Sequence, residues 1–314
     1  MAENISFQVV VPPYAPFEPD AIKFSPFPVV GTSPALTSWN LHRVNLDRSP
    51  IIRRNDNLDT WFNNHVGSML SARERSLREK KGKDVRMFVK DSLHSLLVGF
   101  SGAQNKSRPQ VFSLTDTDSD NCDTILFAKE LRFDLQSHTV VCDGYVLPLT
   151  KDWITRNSGT FGRFVHESGM VRISSMEGEM PAWKHLLPAM VERCRTWHHN
   201  PNCEYEATGR IPLSEKMEEI PLCSCGRGKD VDGMKSVELW RPFAPYSWRI
   251  ALSPLFSVSY LERVLGSSRK CHVCRAQGKP KLQACSMCKK TRYCSRECQK
   301  ADWRTHKEIC TGKA

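Results

Sequence analysis

The residues of this chain best able to do chemistry are its thirteen cysteines and ten histidines. Toward the C-terminus they run Cys271-x2-Cys274, ten residues, Cys285-x2-Cys288, five residues, Cys294-x3-Cys298, seven residues, His306-x3-Cys310. Soft donors separated by two or three residues place both side chains on one turn of chain, the pairing that tetrahedral Zn²⁺ takes from Cys and His. Four pairs supply eight donors, enough for two sites with no position left for water. Such closed sites are structural, because catalytic zinc keeps an open position. Spacing alone leaves the partnering open between crossed sites, sequential sites and a redox cluster of thiols. His272, between two of the donors, reads as a bystander.

A second group lies upstream: Cys194-x4-His199-x3-Cys203, nineteen residues, then Cys223-x-Cys225-Gly226. Five soft donors within 32 residues exceed what separately buried cysteines would supply, and one zinc needs only four. His198 and His199 are adjacent and should point apart, and the spacing to Cys203 favours His199. The expected third metal site is His199, Cys203, Cys223 and Cys225, with Cys194 the rival ligand. The competing reading is a set of thiols buried independently.

The segment Tyr293-Cys-Ser-Arg-Glu-Cys-Gln-Lys-Ala-Asp-Trp-Arg-Thr-His-Lys-Glu-Ile-Cys resembles the second half of a MYND-type zinc finger. The preceding pairs, with Ser286-Met-Cys-Lys-Lys, complete the motif over about 40 of the 314 residues, with no ligand missing. The resemblance implies crossed wiring: Cys271, Cys274, Cys294 and Cys298 on one zinc, Cys285, Cys288, His306 and Cys310 on the other. It also implies a protein-interaction module that takes a short proline-containing peptide beside its last helix, through Ser295, Gln299 and Trp303. Gln299 and Trp303 stand four residues apart, on one face of a helix. An aromatic face suits proline rings and a glutamine can bond a peptide backbone; the alternative is that Trp303 caps the finger's own small core. The second metal group, together with the stretch from Trp240 to Phe256, is similar to fungal proteins carrying a C-terminal MYND finger, a likeness that brings no activity with it.

Metal clips of this kind suit a segment too short to bury a core of its own. The chain as a whole has material for one: 40% of its residues are hydrophobic and 25% charged, ordinary globular values. Residues 1–40 are expected to form an extended arm, because the prolines at 12, 13, 16, 19, 26, 28 and 34 block helix and central strand. Residues 41–265 read as an α+β domain. A basic helix is expected over Asp59–Lys83, and a core-facing one from Val85 to Phe100, ended by Gly102. Ser107–Asn121 reads as a polar loop, followed by strands around 125–127, 131–135 and 140–146, with Asp143-Gly144 as a turn signal. Cys122 and Cys142 read as small buried side chains, and Trp183–Cys194 as a helix. Residues 266–314 are the finger, so the whole chain is expected to be α+β, a mixed domain followed by a small cross-braced two-zinc unit.

The formal charge of +11 is concentrated there: residues 266–314 hold thirteen Lys/Arg, three acids and seven cysteines. Ionising seven thiols onto two Zn²⁺ lowers that segment from +10 to about +7. Such a charge permits nucleic-acid binding, but the cross-braced pattern lacks the spacing of a finger that inserts a helix into the major groove, so acidic proteins are the expected partners. No apolar run is long enough to cross a membrane, and the first residues carry no basic-then-apolar leader. With this many thiols, the expected compartment is intracellular, nucleus or cytoplasm. The rival class is an enzyme such as a divergent protein methyltransferase. That family's Asn-His-Ser/Cys segment and Gly-rich cofactor loops have no counterpart here, nor do the Gly-x-Ser-x-Gly, Walker and His-Glu-x-x-His motifs. A non-catalytic adaptor is the expectation.

Overall fold

The computed structural model describes residues 29–30, 37–38, 41–52, 56–104, 110–256, 271–274, 282–288 and 291–310. Most of the proline-rich arm lies outside the described residues, as does the boundary expected between 265 and 266. Within the arm, β1 (Val29–Val30) and β2 (Thr37–Ser38) pair antiparallel.

The basic stretch expected as one helix is two, α1 (Asp56–Gly67) and α2 (Ala72–Glu79). Ser71 makes the break. Its Oγ accepts from Glu74 N at 3.2 Å while Glu74 Oε2 accepts from Ser71 N at 2.7 Å, a reciprocal capping box that starts a new helix. The buried Lys90 ammonium, 2.7 Å from the same carboxylate, anchors α2 to α3 (Val85–Gln104). Along α3, Val89, Leu93, Leu96, Leu97 and Phe100 recur at helical spacing and are all buried. The helix continues two residues beyond Gly102, its expected end.

Five strands form the central sheet: β3 (Gln110–Asp116), β4 (Cys122–Asp134), β5 (Thr139–Pro148), β6 (Val171–Ser175) and β7 (Trp248–Leu252), in the order β6-β3-β4-β5-β7. Every pairing is antiparallel except β3 with β6. Helices α1, α3 and α6 (Glu179–Glu192) cover one face, over Phe112, Leu126, Cys142, Val146 and Ile250. The other face, with Phe127, Tyr145 and Leu147, lies under α4 (Lys151–Arg156), α5 (Ser158–Glu167), α8 (Asp232–Lys235) and a 3-10 turn, Arg241–Tyr246. A short helix, α7 (Glu204–Thr208), precedes α8. Every residue of β5 is buried, because layers on both faces leave neither side to water.

Two sequence expectations fail here. The polar stretch Ser107–Asn121 contains β3, whose interior is buried between β4 and β6. Asp143-Gly144 is no turn but the middle of β5. Asp143 is buried and accepts from Arg249 Nε (3.0 Å) and Nη2 (2.9 Å) on β7, and from Arg132 Nε (3.2 Å) on β4. Gly144 sits where β4 shifts register between Ala128 and Glu130, and a Cβ there would lie 2.3 Å from the Phe127 carbonyl oxygen. Gly144→Ala is therefore expected to cost about 1–3 kcal/mol, since a backbone atom cannot rotate away. A urea midpoint of the full chain checks this; an unchanged midpoint would mean that β4 yields freely.

Candidate metal centres

In the C-terminal unit, β8 (Gln283–Ala284) and β9 (Arg292–Tyr293) form a short antiparallel ladder leading into α9 (Arg296–Ile309). Ser295 starts that helix, its Oγ accepting from Cys298 N at 3.3 Å. Tyr293 is buried and donates through its hydroxyl to Asp302 Oδ2 at 2.7 Å, pinning ladder to helix.

These elements gather the donors into two groups. Cys271, Cys274, Cys294 and Cys298 form one; Cys285, Cys288, His306 and Cys310 form the other, the donor atoms within each lying within 4.8 Å of one another. Zinc–sulfur bonds of about 2.3 Å in a tetrahedron imply sulfur–sulfur edges of about 3.8 Å. The observed edges are 3.4 Å (Cys274–Cys294), 3.6 Å (Cys294–Cys298) and 3.8 Å (Cys285–Cys310), far beyond a disulfide bond. The donor sets therefore fit two Zn²⁺, and the pairs cross as the resemblance implied. Helix α9 carries Cys298 and His306, one donor for each site.

Local backbone prepares the sulfurs. Burial pushes the Cys271 thiol up, but the N–H groups of Cys294, Cys274 and Val273 point at it and hold it down to about 6. At Cys285 the N–H of Cys288 is the main influence, and the thiol again lies below its ordinary value. In both pairs the first cysteine meets the amides two and three residues on, so the Cys-x2-Cys turn itself favours thiolate. His306 Nε2 lies 3.5 Å from Cys288 Sγ while its Nδ1 lies 3.3 Å from Thr291 Oγ1, which sets the ring's orientation. His272 is exposed, 3.7 Å from Asp302, and stands outside both groups.

Of the three residues expected to meet a peptide, Trp303 is 41% exposed and Gln299 is half-buried one turn before it. The Ser295 hydroxyl is engaged as the helix cap.

Upstream, His199, Cys203, Cys223 and Cys225 also bring their donor atoms within 4.8 Å of one another. Cys194 does not join them. It packs with Val44, Leu46, Val141 and Ala251, and its thiol, pushed up to about 12 by burial, donates to the Val191 carbonyl at 3.4 Å. Its position at the end of α6 turns it toward helix carbonyls, so the rival ligand is set aside. Of the two cysteines expected as small buried side chains, Cys142 is fully buried, while Cys122 is only partly so, its thiol still pushed up to about 12 by desolvation. Sequence reasoning missed the residues around these donors: Thr291 at the finger, Glu192 and Trp197 at His199, and Trp248 at the Cys223 carbonyl. Nothing in their local spacing marks them.

Residues 271–310 match the MYND finger family. Over 40 residues the chain is 50% identical to a zinc finger MYND domain-containing protein 10 homolog of Drosophila melanogaster and 48% identical to Tudor domain-containing protein 1 of Oryzias latipes. Over 45 residues it is 44% identical to Deformed epidermal autoregulatory factor 1 of Drosophila melanogaster. Each match covers 13–14% of this chain and only 3–8% of the relative, so the likeness belongs to the finger. No solved structure matches the chain. Motif, crossed donor groups and relatives agree: residues 271–310 are a MYND finger built on two zinc sites.

Proposed function

We propose that this protein is a non-catalytic adaptor of the cell interior whose finger captures a proline-containing peptide on α9. The observation that carries this reading is Trp303. In a unit whose buried cluster is Cys271, Cys285 and Tyr293, the one tryptophan stands 41% exposed on the last helix, with Gln299 beside it. An exposed indole offers a flat apolar face to a proline ring, and the Gln299 amide is placed to bond the peptide's backbone. Arg296, Lys300, Arg304 and Lys307 are exposed on the same helix and favour a peptide flanked by acidic residues. Ser295 contributes by starting the helix that presents Gln299 and Trp303. Closed donor sets leave the metals a structural role, and thirteen free cysteines suit a reducing compartment.

The test is titration of the full chain with proline-containing peptides of acidic flank. Trp303→Ala is expected to lower affinity by about thirtyfold, corresponding to about 2 kcal/mol for a lost aromatic anchor. Gln299→Ala should give a smaller loss. Zinc content and the amide spectrum of the finger should be unchanged in both. Release of zinc or unfolding by Trp303→Ala would make that residue part of the core and end the peptide reading.

A further inference from the structure

The four donors outside the finger sit in surroundings that independent buried thiols do not need. His199 Nδ1 lies 3.2 Å from Cys203 Sγ and 3.5 Å from Cys223 Sγ. A tetrahedral zinc with one nitrogen at about 2.0 Å and sulfur at about 2.3 Å has nitrogen–sulfur edges of about 3.5 Å. The other imidazole nitrogen, Nε2, lies 3.1 Å from the Glu192 carboxylate, which leaves Nδ1 facing the sulfurs. The sulfurs are surrounded by donors. Asn200 N points at Cys225 Sγ from 3.3 Å, Tyr205 N–H at Cys203 and Cys225 N–H at Cys223. Cys194 shows the opposite: its thiol gives its proton to carbonyl oxygens.

We propose that His199, Cys203, Cys223 and Cys225 hold a third Zn²⁺, a closed structural site inside the N-terminal domain. The imidazole between thiol and carboxylate could instead suggest a Cys-His-Glu nucleophile. Burial decides against it: Cys203, Cys223 and Cys225 are 0–2% exposed, and a nucleophile must meet its substrate. Three cysteines converging on one imidazole is a ligand count, and with all four donors from protein the site has no open position.

The site's place in the fold gives the metal a task. Cys203 opens α7 and Cys223 precedes a 3-10 turn, Ser224–Gly226, so the ion joins two segments nineteen residues apart that share little regular structure. Trp248 Nε1 donates to the Cys223 carbonyl at 2.9 Å and ties the clip to β7, while Glu192 ties it to α6. Gly226 lets the Trp197 ring lie against the turn, where a Cβ would fall 2.0 Å from the indole. Zinc thus fastens the irregular 194–231 segment to the edge of the central sheet.

Counting zinc in the intact chain purified under reducing conditions tests the proposal. The expected count is three per chain, falling to two in Cys225→Ser. A full-length variant with the finger disarmed (Cys271→Ser, Cys274→Ser, Cys285→Ser and Cys288→Ser together) should retain one. On that background Co²⁺ should produce the thiolate charge-transfer and tetrahedral d–d bands, and Cys225→Ser should abolish them. Two zinc ions in the wild type, or none in the finger-disarmed chain, would overturn the third site. Should Cys225→Ser fail to fold, the wild-type and finger-disarmed counts decide alone.

Discussion

Cys294→Ser is expected to cost the finger both of its zinc ions rather than one. The substitution leaves Cys271, Cys274 and Cys298 as a three-donor remnant whose serine oxygen cannot replace the thiolate that lies 3.4 Å from Cys274 and 3.6 Å from Cys298. Metal binding and folding are coupled in so small a unit, each structural zinc supplying on the order of 10 kcal/mol. The damage spreads because α9 serves both sites: Cys298 binds in its first turn and His306 two turns later. Once the first site no longer seats the start of α9, His306 and Cys310 lose the placement that brings them to Cys285 and Cys288. Chelator competition should show both finger zincs released at far lower chelator concentration than in the wild type. The α9 amides should lose hydrogen-exchange protection while those of the five-stranded sheet keep theirs. Retention of the second zinc with α9 still protected would show two independent sites and sink the argument.

How far the sequence reveals this molecule follows from how local each constraint is. A finger held by pairs with two or three residues between them writes its ligands into short spacing, and the same holds for His199-x3-Cys203 and Cys223-x-Cys225. Whether Cys194 takes a place among those ligands is less local. It depends on Cys194 falling at the end of α6, where helix carbonyls take its proton. The sheet is harder to read. Strand β3 spells Gln-Val-Phe-Ser-Leu-Thr-Asp, and its hydroxyl residues Ser113 and Thr115 are buried because β3 is an inner strand with a packed layer over the face they share with Val111. Asp143-Gly144 has the letters of a turn, but the cause of its strand conformation is distant: Arg249 lies 106 residues on, and the bulge belongs to β4. Tertiary pairing overrides local preference at such positions.

The other large effect is expected where that override is strongest, at the ion pair between β4 and α6. Lys184 and Asp123 are 0% and 1% exposed, with Nζ 2.8 Å from Asp123 Oδ1. Lys184 also donates to the Glu219 carbonyl at 2.6 Å, while Asp123 accepts from Glu218 N and from the Thr124 hydroxyl, both at 2.8 Å. Removing one partner strands the other charge in the core. Asp123→Ala should therefore cost about 3–5 kcal/mol, read as a fall in the urea midpoint of the full chain. Replacing both, as Asp123→Ala with Lys184→Met, should recover much of that loss, because the desolvated ammonium goes with its counterion. The pH dependence separates charge from packing. Burial, set against the attraction of Asp123, holds the Lys184 pKa below its ordinary value in the wild type. Without Asp123 it must fall further, so the folded variant sheds its proton at a pH where the unfolded chain still holds one. Stability rises with pH wherever the unfolded state binds more protons. The deficit of Asp123→Ala relative to wild type should thus be full below the variant's lowered lysine pKa, and narrow as pH rises from there to the wild type's own, less depressed, Lys184 pKa. The double variant, with no amine at that position, should not show this narrowing. A deficit of Asp123→Ala that stays constant from pH 7 to about pH 10 would mean that lost packing, not the stranded charge, is what the substitution removes.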